Sequence, residues 1–280
     1  MPLTKGRFIR LTPGVYAYTV EFRNRRLTPT GNATVRSMPD HTKPDCARGL
    51  ALPPLIPGRL VKRYKRFLAD VILDDGREVT AHCPNSGRMI ACSQPGRPVY
   101  LSQHDNPKRK LKYTWELIDM PTSLVGVNTQ LPNRLAAHAI ASGQVSELTG
   151  YSDIQREIKV GDHSRLDIRL HSSQQGTCYI EVKNCTLVED GIARFPDAVT
   201  ARGRKHLVEL GRLVASGHRA VMFFLIQRMD ARLFQPADNI DPAYGAALRE
   251  VHAQGVEIVA YDVTIDLTSI ALNQPVKFKI

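Results

Sequence analysis

The sequence predicts a mixed α/β (α+β) chain in which a small β-barrel precedes an α/β domain, and three observations carry that expectation. Between residues 55 and 118, about five short alternating strands are separated by turn residues. From Pro132 onward the hydrophobic period moves between 3.6 and 2, as it does where helices and strands follow one another. The run RAVMFFLIQ at 219–227 is almost wholly apolar, which suits a strand at the centre of a sheet covered on both faces. The 280 residues exceed one average domain. The expected divisions are 1–50 as a disordered or atypical extension, 51–118 as the barrel, 119–264 as the α/β domain and 265–280 as a C-terminal segment.

The extension carries one strand-like patch, at 15–20, followed by a mixture of Arg, Thr, Pro, Gly and Asp without a period, so disorder is expected over most of it. Charge is unevenly distributed. Residues 1–50 hold nine Lys/Arg against three Asp/Glu, residues 55–115 twelve against five, and residues 116–280 seventeen against nineteen. A basic module joined to a slightly acidic one suits a polyanion held by the first and acted on by the second. No run approaches the ~20 apolar residues of a membrane helix, and no apolar stretch follows the N-terminus as a secretory signal would, so a cytoplasmic protein without a membrane partner is expected. Five cysteines without a CxxC pair argue against a disulfide framework or zinc knuckle and for reduced, buried thiols.

The barrel segment opens after PPLIPG with residues 59–73, in which Lys62, Arg63, Lys65 and Arg66 interleave with Tyr64 and Phe67 before an Asp74-Asp75-Gly76 turn. Strands at 78–82, 98–102 and 111–117 follow, and this number of short strands in so few residues suits a closed barrel of the OB type. Cations for phosphates and aromatic rings for stacking are what a nucleic-acid face needs, and Lys108, Arg109 and Lys110 add a second basic cluster. The plainer reading is a solubilising edge strand. His82 and Cys83 lack a second pair at ligand spacing and are expected to pack beside the Asn85-Ser86-Gly87 turn.

In the α/β segment, Asn133 is placed to cap a helix at 134–141, and a strand at 154–160 follows with Glu157 and Lys159 on one face. An antiparallel hairpin comes next, its arms at 164–170 and 179–184 joined through SSQQG. A helix at 198–216 begins at Pro196-Asp197. Its apolar stripe is Leu207, Leu210 and Val214, and Arg202, Lys205, His206 and Glu209 share another face, suited either to a phosphate or to plain solvent. After the apolar strand come a helix at 242–254 and a strand at 256–262, and residues 264–280 trail.

The hairpin holds the candidate chemistry. Alternation puts Glu181 and Lys183 on one face, and pairing brings Asp167 opposite them. Two hard oxygen ligands suit Mg²⁺ or Mn²⁺, with Glu157 as a further carboxylate, and an amine beside the metal orients a water or neutralises a phosphate. The alternative is a solvent-facing strand pair with exposed ion pairs that contribute little.

The element order around Asp167 and Glu181-Val182-Lys183 resembles the core of the PD-(D/E)xK nuclease-like superfamily, although Leu166 stands where the superfamily's name has proline. A narrower resemblance covers residues 52–262. The strings PPLIPGRLVKRYKRFLADV, HCPNSGRM, RKLKYTWEL, ELTGY, SRLDIRL, YIEVKNCTL and FPDAVTARGRKHL resemble the sugar fermentation stimulation protein A family of bacteria. That resemblance implies an OB-like barrel followed by a nuclease-like domain. It also implies a DNA-binding protein without sequence specificity, proposed to regulate the use of maltose and related sugars, whose cleavage activity is inferred from the site. It further implies a Glu in the first helix where this chain has His138, a departure that leaves one carboxylate fewer for a metal. The expected function is therefore DNA binding, RNA not being excluded, with metal-dependent phosphodiester hydrolysis at Asp167, Glu181 and Lys183. The alternative is a regulator that binds DNA without turnover. No sugar ligand is expected.

Overall fold

The computed structural model describes residues 7–12, 15–19, 49–160 and 164–280. Within residues 1–41, which form a unit of their own, β1 (Arg7–Thr12) pairs antiparallel with β2 (Val15–Thr19), the patch expected at 15–20. The rest of the expected disordered extension up to residue 48 lies outside the described residues, as does Cys46.

The second unit begins with β3 (Gly49–Ala51) and then builds the barrel from β4 (Leu55–Tyr64), β5 (Leu68–Leu73), β6 (Glu78–His82), β7 (Pro98–Gln103) and β8 (Tyr113–Met120), with β9 (Ser123–Gly126) beside β8. Strand order is β6-β5-β4-β7-β8-β9, and a parallel pairing of β6 with β8 closes it, giving the five-strand barrel of the OB type. Alternating residues fill its interior, Leu60, Val71, Leu101, Trp115 and Ile118 among them, so burial of these apolar side chains holds the barrel together. Residues 59–73 are divided between two strands, and Lys65 and Arg66 form the turn between them with φ of 47° and 63°.

The α/β domain contains α1 (Leu131–Ala141), a short 3-10 turn (Ser146–Leu148), β10 (Asp153–Val160), β11 (Ser164–Ser172), β12 (Gly176–Cys185), β13 (Leu187–Glu189), β14 (Ile192–Phe195), α2 (Ala201–Ala215), β15 (Arg219–Ile226), β16 (Leu233–Pro236), α3 (Pro242–Ala253), β17 (Glu257–Ile265), β18 (Ser269–Pro275) and β19 (Lys277–Phe278). The main sheet runs β10-β11-β12-β15-β17-β18-β3, parallel only at β12–β15 and β15–β17. A smaller sheet, β13-β14-β16-β19, lies beside it. Both faces of the main sheet are covered. Ile180, Val182, Val221 and Phe223 pack with α1 and with Leu117 of the barrel, whereas Met222, Phe224 and Ile226 pack with α2 and α3. That double covering explains the unbroken apolar run of β15.

The C-terminal residues expected to trail form two strands instead, β18 continuing the main sheet antiparallel to β17 and receiving β3 on its other edge. Their sequence, SIALNQP, alternates only over its first four residues, too short a signal to read alone. Two helix starts also differ. Helix α1 begins at Leu131 without a side-chain cap, so Asn133 lies inside its first turn and is free for another task. Helix α2 begins three residues later than expected, capped by Thr200, whose hydroxyl oxygen accepts from the Gly203 N–H. The Phe195–Pro196 bond preceding it is cis.

Buried Asp241 ties the two helices of that layer together. Its carboxylate accepts from the Thr200 N–H at 2.8 Å, caps α3 at the Tyr244 N–H at 3.0 Å and pairs with Arg204 at 3.1 Å. An N-cap alone contributes about 1 kcal/mol, and stranding a buried partner adds to the loss. Asp241→Ala is therefore expected to lower the unfolding free energy by about 2–4 kcal/mol in urea titrations, and a loss under about 0.5 kcal/mol would contradict this role.

Candidate functional site

The register of the main sheet determines where the acidic residues meet. Strands β11 and β12 pair as far as Ile168 with Ile180, and beyond that row the ladder stops although β12 runs on to Cys185. The orphaned Val182 N–H is taken by the Asp167 side chain, whose Oδ2 accepts it at 2.8 Å. The other oxygen, Oδ1, accepts from the Asn133 Nδ2 of α1 at 2.6 Å. On the far side, Glu157 of β10 has a φ of 56° and interrupts the β10–β11 pairing between Arg156 and Ile158. Glu157, Asp167 and Glu181 thus stand in one row across three strands, the row at which the β11–β12 ladder has ended and β10–β11 skips one pair before resuming in register.

Glu181 is 2% exposed. Its Oε1 receives Lys183 Nζ at 2.5 Å and contacts His206 Nδ1, which projects from α2. Its Oε2 is buried with no partner. Lys183 Nζ is also 3.4 Å from His206 Nδ1. The electrostatics separate the two acids. Burial, and then the negative charge of Glu181, push the Asp167 carboxyl up to about 6. Burial alone would raise Glu181 too, but the His206 hydrogen bond and the Lys183 charge outweigh it and hold that carboxyl below its usual range.

These groups form the floor of a cleft of about 750 Å³ between the barrel and the α/β domain. The barrel contributes Arg63, Arg66 and Arg88, and the α/β domain Arg165, Arg194 and Arg202. Phe195, Pro196 and Val199 supply an apolar side. Contacts across the cleft join its walls. The Met89 N–H donates to Asp197 Oδ2 at 2.8 Å, and a Cβ added to Gly87 would come within 2.5 Å of that same oxygen, so the close approach needs glycine.

The remaining expected site residues are scattered. Lys62 is exposed, 3.7 Å from Asp70 and 5.4 Å from the centre of the Tyr64 ring. Tyr64 donates its hydroxyl to Asp70, and Phe67, 46% exposed, stacks on His82. Arg63, expected to face a phosphate, is half-buried and donates to the carbonyls of Asn85, Gly87 and Arg88 at 2.7, 2.8 and 3.2 Å. It props the loop that walls the cleft. Lys65 is exposed in the β4–β5 turn, and Lys108, Arg109 and Lys110 lie away from the cleft, Arg109 donating to Thr114 at 3.0 Å. Lys205 is exposed on α2 and not part of the cleft lining, whereas Arg202 is. The buried cysteines fit the reduced-thiol expectation, with burial pushing Cys178 and Cys185 up to about 12.

Sequence reasoning missed two residues that touch the acids. The sequence places Asn133 at a cap and His206 on a helix face suited to a phosphate or to solvent, yet one holds Asp167 and the other Glu181. The helical spacing of His206 from Arg202 was the available signal. His138 is likewise corrected, since it does not line the cleft and its buried Nε2 has no partner. It occupies α1 on a face other than that of Asn133, five residues or about 1.4 turns on.

A divalent cation fits the floor. Among the described residues no three His, Cys, Asp or Glu side chains form a ready cage. However, the unpartnered Glu181 Oε2 and the mutual repulsion of Glu181 and Asp167 are what a cation would satisfy, and carboxylate oxygens are the donors Mg²⁺, Mn²⁺ or Ca²⁺ prefers.

Two family models match the chain: Sugar fermentation stimulation protein RE domain over residues 130–269, and SfsA N-terminal OB domain over residues 61–127. The chain is 51% identical over 230 residues to the sugar fermentation stimulation protein homolog of Acidithiobacillus ferrooxidans, covering 81% of this chain and 99% of that protein. It is 55% identical over 208 residues to the homolog of Geotalea uraniireducens, covering 74% and 90%. Among solved structures it is similar to Pyrococcus furiosus SfsA in complex with Ca²⁺, at a TM-score of 0.76 and 28% identity over 83% of this chain and 99% of that one. No helix among the described residues is long and apolar enough to cross a membrane.

The raised Asp167 pKa has a signed consequence. Between an unfolded value near 3.8 and a folded value of about 6, the folded chain holds the proton more tightly, so this carboxyl lowers stability as pH rises through that window. In chelator at pH 7.5, Asp167→Asn is expected to melt higher than the parent protein, the difference shrinking below pH 4. A variant that melts lower at pH 7.5 would contradict the assignment. Cation-induced stabilisation of the parent protein should also weaken as pH falls below about 6, because protons then compete for Asp167.

Proposed function

The chain belongs to the sugar fermentation stimulation protein family, and we propose that its cleft is a divalent-metal site that hydrolyses phosphodiester bonds in DNA. The observation that carries this reading is the pair Asp167 and Glu181, one oxygen of it buried and unpartnered, at the floor of a cleft rimmed by arginines. An anion-binding rim would repel no ligand if the floor were neutral, whereas two carboxylates there oppose a phosphate unless a cation lies between them.

Asp167, Glu181 and, at the cleft edge, Glu157 would hold the cation, with Mg²⁺ or Mn²⁺ as the working ions; Ca²⁺ in the Pyrococcus furiosus relative is in line with a hard-cation site. Such a cation would polarise a phosphoryl oxygen and acidify a bound water. Lys183, 15% exposed at its side chain, presents its ammonium over the same floor, where it orients the attacking water or offsets charge on the phosphate in the transition state. Asn133 and His206 keep the two carboxylates aimed. Arg165 and Arg202 line the cleft to receive the flanking phosphates, and the exposed Lys62 and Phe67 with the half-buried Tyr64 of the barrel offer a second, weaker hold on the strand.

A second reading, a DNA-binding regulator that keeps this fold without turnover, is favoured by the small ligand set, since α1 adds an amide at Asn133 where a further carboxylate would strengthen metal binding. The link to sugar use belongs to that reading, and no sugar site is proposed in either.

Incubating the protein with single-stranded, duplex and branched DNA in Mg²⁺, Mn²⁺ or chelator, beside Lys183→Ala, separates them. Metal-dependent cleavage at least ~100-fold slower in the variant is expected. Binding without cleavage on every substrate would leave the regulator.

A further inference from the structure

The lining of the cleft is chemically mixed. Asp167, Glu181, Lys183 and Arg165 belong to it, and so does the loop carrying Phe195, Pro196 and Val199. Val199 is 70% exposed, the most exposed large apolar side chain among the described residues, and it belongs to a loop held firmly at both ends. Before it, the Ala237 N–H donates to the Phe195 carbonyl at 2.9 Å and Asp197 accepts from Met89; after it, the Thr200 N–H donates to Asp241. Folding gains nothing from a valine presented to water in this way. A flat apolar ligand face packed against it would.

We propose that this cleft takes a single unpaired DNA strand, its phosphates over the acidic floor and arginines and its base against Val199 and the part-exposed Phe195. The proposal rests on the phosphodiester reading only in choosing DNA as the polyanion. Three features carry it. The cleft's volume of about 750 Å³ is in the range that encloses a drug-sized molecule, about 300–1,000 Å³, which matches a nucleotide or two of one strand. The barrel loop at Gly87 and Arg88, propped by Arg63 and fastened to Asp197, lines the same cleft as the carboxylates, so a strand that reaches them enters between the barrel and the α/β domain. Bases in a duplex cover one another's faces, so only an unpaired base has a face free for the Val199 side.

The test compares a fluorescein-labelled single-stranded oligodeoxynucleotide with the same sequence in a blunt duplex. Anisotropy is measured in Mg²⁺ in a Lys183→Ala background, in which turnover is slowed, for that protein alone and with Val199→Asp or Arg165→Ala added. Both substitutions are at exposed positions, and thermal melts check that each variant is folded. The single strand is expected to bind at least about tenfold more tightly than the duplex, and each variant to weaken single-strand binding by about tenfold while changing duplex binding less than about twofold. Equal affinity for the two DNAs, or variants that weaken both alike, would overturn the proposal. A parallel digestion by the parent protein in Mn²⁺ should consume the single strand and spare the duplex interior. If neither DNA is cut, phosphodiester hydrolysis fails while the binding comparison still decides which strand state the cleft accepts. If the duplex interior is cut as fast as the single strand, the single-strand proposal fails and hydrolysis stands.

Discussion

One hydrogen bond determines the geometry of the cleft, the donation of the Val182 N–H to the Asp167 carboxylate. A buried strand N–H must find an acceptor, and in a continuous sheet the neighbouring backbone supplies it. Here β11 and β12 part after Ile168 and Ile180, and a side chain takes the place of the ladder. That substitution opens the sheet at one end and brings a carboxylate into the opening beside Glu181. It also accounts for the electrostatic poise of the pair: Asp167 is short of charge stabilisation, whereas Glu181 has Lys183 and His206.

The barrel helps to build the site. Gln227, fully buried, donates to the Asn128 carbonyl at 3.3 Å and to Asn184 Oδ1 at 2.9 Å, linking the segment after β9 to the end of β12. Arg228 donates to the carbonyls of Thr186 and Ala91 and pairs with Asp230 at 2.6 Å. A buried guanidinium satisfied in this way acts as a strut, since removing any partner would leave a charge uncompensated. With Met89 bonded to Asp197, these contacts hold the Asn85–Arg88 loop in place as a wall, which is why Arg63 works on carbonyls and not on a ligand.

Much of this was legible in the sequence, for physical reasons that differ between residues. Glu181 and Lys183 share a face because strand alternation requires it, and Asp167 joins them because a short turn sets the register. The barrel's strands announced themselves by alternation and turn residues, and the covered sheet by the apolar run of β15. What escaped was set by distance along the chain. Asn133 reaches Asp167 across 34 residues and His206 reaches Glu181 across 25, contacts that no local period encodes. The roles of Arg63 and Asp197 likewise depend on two parts of the fold meeting. The Lys65-Arg66 turn lacks the glycine or asparagine that usually marks positive φ, and β18 is too weakly patterned to separate from a tail.

On the proposed function, Asp167 and Glu181 share one divalent cation. Crystals soaked in Mn²⁺ and measured at the manganese absorption edge test it most directly. One strong anomalous peak is expected between these two carboxylates, at roughly 2.0–2.3 Å from an oxygen of each. An ordered cleft with no peak there, or a peak bound elsewhere on the molecule, would contradict it.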